Sequence, residues 1–419
     1  MKCLLCVNLV VLFFHVDVMA QPGRIITLEN ADSLEGKVID GEKVRELIGN
    51  VRFSQDNVRI RCDRALQYLE SGKVLLTGNV VVQDDSVTMR TPRGMYYRDE
   101  RRAEAFESVH LDDGNVRLTA GFGRYFVDLK RAFFRSNVVV RDNASTVLAD
   151  SLTYYRAEKH SVATGNVSVY NPTDNVTIRG NHLDHFSATQ YSRMVERPVL
   201  VQIDTSASGR ADTLIVRSRV MEAYRDSTRR LLAIDSVEIV RADLAGVAGL
   251  AVFFTAADSI LLRTSPVVWY QKTQVSGDSI NVYLKFRKLR LVSVMGNAFA
   301  VSPSDSVHQD RYDQLTGETM RLHFFQQALE RIDVDNRAIS VYHLYEDNKP
   351  NGLNKTSGDR IVMAFTQGRI NAIRIYGGVE GQYFPENMVQ GREQEYAIPG
   401  FRWHDGRPRI MTDARNASN

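Results

Sequence analysis

The chain has 419 residues, a formal net charge of +3 and 43% hydrophobic residues. Charge this close to balance gives no electrostatic footprint for nucleic acid. The length allows two domains or one long array. Cys3 and Cys6 lie in the first few residues, so Cys62 is the one thiol beyond them and no internal disulfide is expected.

The first twenty residues have the pattern of a cleaved signal peptide. Lys2 supplies the positive start, Cys3 to Phe14 is apolar but for Asn8, and Val18 and Ala20 place the cut before Gln21. Twelve helical residues rise only about 18 Å, short of a bilayer core of about 30 Å. Leu4 and Leu5 before Cys6 argue against lipidation. No later stretch is apolar enough to span a membrane as a helix, so a soluble or peripheral mature chain is expected.

Five valines then recur every 29 residues: Val51, Val80, Val109, Val138 and Val167. Two residues on runs a second column, Phe53, Val82, Leu111, Val140 and Val169. Four residues before runs a third, Leu47, Leu76, Ala105, Phe134 and Ala163. A fixed period of this size implies stacked copies of one supersecondary unit. Turn residues keep the same period: Asp84-Asp85, Asp113-Gly114, Asp142-Asn143 and Asn171-Pro172, and between them Ser71-Gly72, Glu100-Arg101, Leu129-Lys130 and Glu158-Lys159. Stretches of about eleven residues separate the turns, so each repeat holds two strands.

Alternation agrees. One parity reads Val58, Ile60, Cys62, Leu66, Tyr68; its copies read Val87, Met89, Thr91, Met95, Tyr97 and Val116, Leu118, Ala120, Phe122, Phe126. Arg59, Arg61, Arg90 and Arg117 interleave on the other face, as on a solvated strand. The pairs before the valines, Gly49-Asn50, Gly78-Asn79, Glu107-Ser108, Ser136-Asn137 and Gly165-Asn166, are expected to be mid-strand bends. Cys62 reads as a small buried hydrophobe. His182 and His185 around Asp184 do not amount to a metal site.

Residues 187–230 break the register. The unit then returns with looser spacing, through Val237, Val267, Ala298, Ala338 and Val379, and strand openings recur at Gly277-Asp278, Gly317-Glu318 and Gly358-Asp359. Extra polar residues at 303–314 and 346–357 are expected to be longer loops. From Gln390 a polar tail is expected to be disordered.

The small-Asn-Val step and the Gly-Asp-x-Ile openings, as in Gly78-Asn79-Val80, Gly165-Asn166-Val167 and Gly296-Asn297-Ala298, make residues 37–389 similar to the OstA/LptA-like family of lipopolysaccharide transport. The resemblance implies an all-β fold: an elongated β-jellyroll of repeated, bent antiparallel strand pairs, about two jellyroll segments in tandem. The expected organisation is a signal peptide at 1–20, a first jellyroll at 37–198, a connector at 199–230, a second jellyroll at 231–389 and a tail at 390–419. It further implies a periplasmic, non-enzymatic carrier or bridge toward the outer membrane in a Gram-negative-type bacterium. That carrier would hold lipid A acyl chains in an apolar groove, use no cofactor and no metal, and meet other jellyroll domains by strand-edge addition and the outer-membrane translocon.

The groove candidates are Val51, Phe53, Val58, Ile60, Leu76, Val80, Val82, Met89, Met95, Val109, Leu111, Leu118, Phe122, Phe134, Val138, Val140, Val167 and Val169. Hydrophobic contact worth about 0.8 kcal/mol per methylene would hold a chain and still let it slide. The chain has about twice the repeats of a minimal bridge protein and no stretch with the strand content of a membrane barrel. Two other classes remain. A structural or adhesive repeat would have the same columns as filled core. A parallel β-helix acting on polysaccharide would need three short strands per repeat and a cluster of acids, and neither is found.

Overall fold

A strand whose residues alternate between two environments must turn where the alternation stops, and the chain does this throughout. The computed structural model describes residues 26–409 apart from 56–57, 85–86, 206–210, 226, 228, 243, 286–287, 305–307, 309, 327, 348 and 368. Among these residues the structure is almost wholly antiparallel β. The signal segment and Asp85 lie outside them. The chain divides into two units, one up to Pro198 with a short return from Ala223, the other comprising Val199–Glu222 and the residues from Ser227.

In the first unit the strands are β1 Thr27–Asn30, β2 Ser33–Ile39, β3 Glu42–Gln55, β4 Val58–Tyr68, β5 Lys73–Asp84, β6 Val87–Tyr97 and β7 Arg102–Asp112. They continue as β8 Arg117–Phe126, β9 Arg131–Arg141, β10 Thr146–Tyr155, β11 His160–Asn171, β12 Val176–Phe186 and β13 Tyr191–Val195. From β3 to β13 each pairs antiparallel with the next. The turns form for local reasons. Asp113 Oδ1 accepts from the backbone N–H of Asn115 and Val116 (2.8 and 2.6 Å), and Asp142 Oδ1 does the same for Ala144 and Ser145. At the other end Arg101, Lys130 and Lys159 close four-residue turns at φ +46°, +46° and +49°.

The expected mid-strand bends are present, and their conformation is the same each time: two consecutive left-handed residues. Gly49-Asn50, Gly78-Asn79, Glu107-Ser108, Ser136-Asn137 and Gly165-Asn166 all have positive φ. The ladder skips there, for example between Thr77 and Val80. The second unit repeats the device at Asp235-Ser236, Thr264-Ser265, Gly296-Asn297, Asn336-Arg337 and Gly377-Gly378.

Several bends are matched to one residue on the preceding strand. A Cβ at Gly165 (φ +75°) would lie 2.9 Å from Asp150 Cβ, and Asn166 Nδ2 donates to Asp150 Oδ2 at 2.8 Å. Gly78-Asn79 meets Asp63 in the same way, with Asn79 Nδ2 donating at 2.9 Å. At two bends that carry a side chain the facing residue is glycine: a Cβ at Gly121 would lie 2.8 Å from Ser136 Cβ, and one at Gly249 would lie 2.7 Å from Thr264 Cβ. The Gly-Asp openings are the same match seen from the other strand, since Asp278 receives Asn297 Nδ2 at 3.1 Å.

The second unit begins with β14 Val199–Thr205, β15 Ala211–Arg217 and β16 Val220–Tyr224, so the stretch expected as a connector is largely strand. There follow β17 Arg230–Arg241, β18 Leu244–Phe254, β19 Ser259–Arg263, β20 Val267–Tyr270, β21 Thr273–Ser276, β22 Ser279–Lys285 and β23 Lys288–Pro303. The last are β24 Tyr312–Phe325, β25 Ala328–Glu346, β26 Lys349–Thr366, β27 Arg369–Tyr376 and β28 Glu380–Phe384. The polar insertion expected as a loop at 346–357 instead lengthens β25 and β26, which pair across it from Glu346–Lys349 onward.

The tail also differs from expectation. Residues 385–409 cross the outward face of β26, β25, β24, β23 and β21 as a strap. Val389 and Ile398 are buried against Phe299, Val301, Val341 and Leu353, with Phe401 and Trp403 packed beside them. Where the first unit has outward Arg52 and His110, one residue after the bend valine, this unit has Phe299 and Ile339. The strap's backbone is satisfied by buried amides. Gln274 Nε2 donates to Arg402 C=O (3.1 Å), His404 N–H donates to Gln274 Oε1 (2.9 Å), and Ile398 N–H donates to Gln314 Oε1 (2.8 Å). Arg311, 1% exposed, bonds Glu386 at 2.6 Å and Glu393 at 3.0 Å. A polar composition therefore hid a segment in which Val389, Ile398, Phe401 and Trp403 each have a place to pack. Residues 410–419 lie outside the described residues.

Candidate functional site

The apolar columns of the first unit all point into the space between the two arms of the bent strands. One cross-strand row runs Phe53, Ile60, Val82, Met89, Leu111, Leu118, Val140, Val147, Val169 and Ile178. On the other arm a row runs Leu47, Ala65, Leu76, Gly94, Ala105, Gly123, Phe134, Leu152 and Ala163. This second row mixes large and small residues, and the Phe134 ring fills the space left by Gly123, where a Cβ would come 3.2 Å from Cε1. The bend valines Val51, Val80, Val109, Val138 and Val167 sit between the rows and are only 0–2% exposed.

Burial is uneven along the unit. Phe53, Val58, Ile60 and Met89, nearest the N-terminal edge, are only partly buried around the packed group of Leu47, Val51, Cys62, Ala65, Leu76, Val80 and Val82. Farther along, Leu118, Val140 and Val169 are buried. The interior is thus accessible at its N-terminal end and filled by side chains beyond it. Cys62 belongs to the packed group, and burial raises its thiol pKa to about 11.

Two of the groove candidates, Met95 and Phe122, are not inside, and Leu66, Tyr68, Tyr97 and Phe126 of the same alternation fall outward with them. Met95 faces Leu75 and Glu104, and Phe122 faces Phe106 and Arg135, all on the outward side of the arm. The cause is the bend. Met89 and Thr91 point inward, the ladder skips between Arg90 and Arg93, and Gly94 is the next inward residue. Simple alternation carried through the skip assigns everything beyond it to the wrong face.

That outward face carries an arrangement the sequence did not announce. Guanidinium groups lie over rings across four strands: Arg93 over Phe106 (5.0 Å to the centroid), Arg102 over Tyr97 (3.9 Å), Arg131 over Phe126 (4.9 Å) and Arg135 over Phe122 (4.7 Å). Buried Glu104 takes Arg124 at 2.6 Å and also Arg102. Recognising this pattern required knowing the register, because Phe106, Phe122 and Arg135 become neighbours only after the skip.

The histidines do not converge. His182 and His160 both bond Asp184, at 2.9 and 2.8 Å, on the outward side. His185 points inward and bonds Ser192 Oγ at 2.9 Å. Burial, with Arg225 and His160 adding to it, lowers the His185 pKa to about 4. Among the described residues no group of three or more His, Cys, Asp or Glu is placed to hold a metal ion.

Residues 71–168, which run from the turn before β5 to the bend of β11, match the model of the family described as OstA-like protein. Over this stretch the chain is similar to that family. The OstA-like segment contains four of the five bend valines and most of both interior rows. Among solved structures, the chain is similar to LptH from Pseudomonas aeruginosa, described as the LptA-homologous periplasmic component of the conserved lipopolysaccharide transport device. The two are 16% identical with a TM-score of 0.27, over 34% of this chain and 95% of that one. No curated protein sequence matches the chain.

Proposed function

We propose that the protein is a periplasmic, non-enzymatic carrier or bridge for lipopolysaccharide or a related lipid in outer-membrane assembly. The observation that carries this reading is the coincidence of the OstA-like segment with continuous apolar rows between two bent arms. Acyl chains would enter where Phe53, Val58, Ile60 and Met89 retain accessible surface, and passage beyond them would require the arms to part around the valines. Hydrophobic contact has no preferred register along such a row, so a held chain could still move. The N-terminal edge supports a docking role for a further jellyroll domain. Among the described residues β2 pairs only with β3 and exposes Leu34 (60%) and Val38 (67%), and an unpaired strand edge is a template for strand addition.

A second reading, a structural repeat with no lipid cargo, is favoured by the packing of the valines themselves. Photocrosslinking in cells separates the two. Probes at Phe53, Ile60, Met89 and Val80 should yield lipid adducts, and probes at Arg90 and Arg117 on the outward face should not. Equal labelling of both faces, or none at the inward positions, sides with the structural repeat.

A further inference from the structure

Most guanidinium groups on the outward face of the OstA-like segment have carboxylate partners. Arg93 meets Glu107 at 3.3 Å, Arg102 meets Glu100 at 2.8 Å and Arg124 meets Glu104 at 2.6 Å. Arg131 and Arg135 differ. Among the described residues neither has an ion-pair partner, and each is held instead over a ring, Phe126 and Phe122 respectively. Stacking occupies the flat face of a guanidinium and leaves its in-plane N–H fork free for oxygen acceptors. The neighbouring rings therefore preorganise two anion clamps without neutralising them.

The two arginines lie on one face of β9, four residues apart, which places them about 13 Å from each other. Between them on the same face is Phe133, half-buried, with part of its ring open to solvent. Two forks this far apart cannot close on a single phosphate. The sequence clamp, ring, clamp matches an extended ligand with acidic groups on separate units and a flat apolar face in the middle.

We propose that Arg131, Phe133 and Arg135 form a binding strip for an acidic oligosaccharide. Carboxylates of two non-adjacent sugars would sit in the two guanidinium forks, and the C–H face of an intervening sugar would rest on Phe133. Charge complementarity carries the proposal, because among the described residues the strip offers two cations with no ion-pair partner, while Arg124 opposite Phe133 is already paired with buried Glu104. It is independent of the lipid reading, since these residues lie on the opposite side of the arm from the valine rows.

The test is titration calorimetry of the protein with hexagalacturonate, with neutral maltohexaose and with inorganic polyphosphate. Hexagalacturonate should bind measurably and weaken with salt; maltohexaose should not bind, and polyphosphate should bind at least about tenfold more weakly. R131Q/R135Q should reduce hexagalacturonate affinity by about tenfold or more with the fold intact and the melting temperature little lowered, because each side chain loses a ring contact at the surface but no ion pair. F133L, which keeps an apolar side chain under the sheet face, should weaken binding without unfolding. R59Q/R61Q, on the outward face of the other arm, should have no effect. The proposal is overturned if hexagalacturonate fails to bind, if polyphosphate or maltohexaose binds equally well, or if R131Q/R135Q and R59Q/R61Q behave alike.

Discussion

Exchanging the two kinds of bend tests whether the facing residue dictates them. Gly165 faces Asp150; one repeat earlier Ser136 faces Gly121. In G165S the new side chain must adopt φ near +75°, which costs roughly 1–2 kcal/mol for a residue with a Cβ. It also displaces Asp150, so the bond from Asn166 Nδ2 (2.8 Å) is lost, worth about 0.5–1.5 kcal/mol at a solvent-facing site. The single variant should therefore cost about 2–3 kcal/mol. D150G alone loses the same bond and adds backbone freedom, for about 1–2 kcal/mol. In the double variant the bond is lost only once and the collision is gone, as in the natural Gly121/Ser136 pair. The two changes should then couple by about 1–2 kcal/mol in the favourable direction. Urea unfolding followed by circular dichroism on all four proteins measures this, provided the urea dependence is the same in each. Additivity within about 0.5 kcal/mol would refute the account, because it would mean that the facing side chain does not decide which bend is tolerated.

Other expectations are equally direct. Buried His185 has its pKa lowered to about 4, whereas in the unfolded chain it titrates near 6.5. Its contribution is complete above pH ~6.5 and is lost as pH falls toward 4, about 3 kcal/mol in all, and a His185→Gln variant should lack this part of the stability-versus-pH curve. Arg311→Met leaves Glu393 buried without its partner, so strap docking should weaken by about 3–5 kcal/mol. Early proteolysis within 385–409 and quenchable Trp403 fluorescence in a Trp269→Phe background would report this. Cys62 should resist a thiol reagent at pH 8 in the native protein and react at once in denaturant, because burial has raised its pKa to about 11. Rapid native labelling would mean the packed group at the N-terminal end opens readily.

What the sequence made legible depended on whether a property was carried by one residue or by a partner. The valine columns and turn residues are local, so the 29-residue period, the two-strand repeat and the bends could all be read directly. The faces of Met95 and Phe122 could not, because inward and outward are redefined by a skip whose length only the partner strand sets. The strap was missed for a related reason. Gln274, Gln314 and Arg311 are ordinary polar residues until chain from 75 to 130 positions away lies against them. The apolar outward positions Phe299 and Ile339 were the available sign. They break the rule that the first unit keeps with Arg52 and His110.

The matched bends also bear on how an array of near-identical strands avoids assembling in the wrong order. A strand displaced by one full repeat keeps its inward and outward sides, so the hydrophobic pattern alone does not reject the error. The bend pairs do. Were β4 to take β7 as its neighbour in place of β5, Asp63 would be driven against Glu107. Were β8 to lie beside β11 in place of β10, Gly121 would meet Gly165 and Asn166 would have no carboxylate. Not every repeat carries the same lock and key at this address, and where they differ the mismatch acts as proofreading of strand order and penalises exchange of strands between copies of the chain.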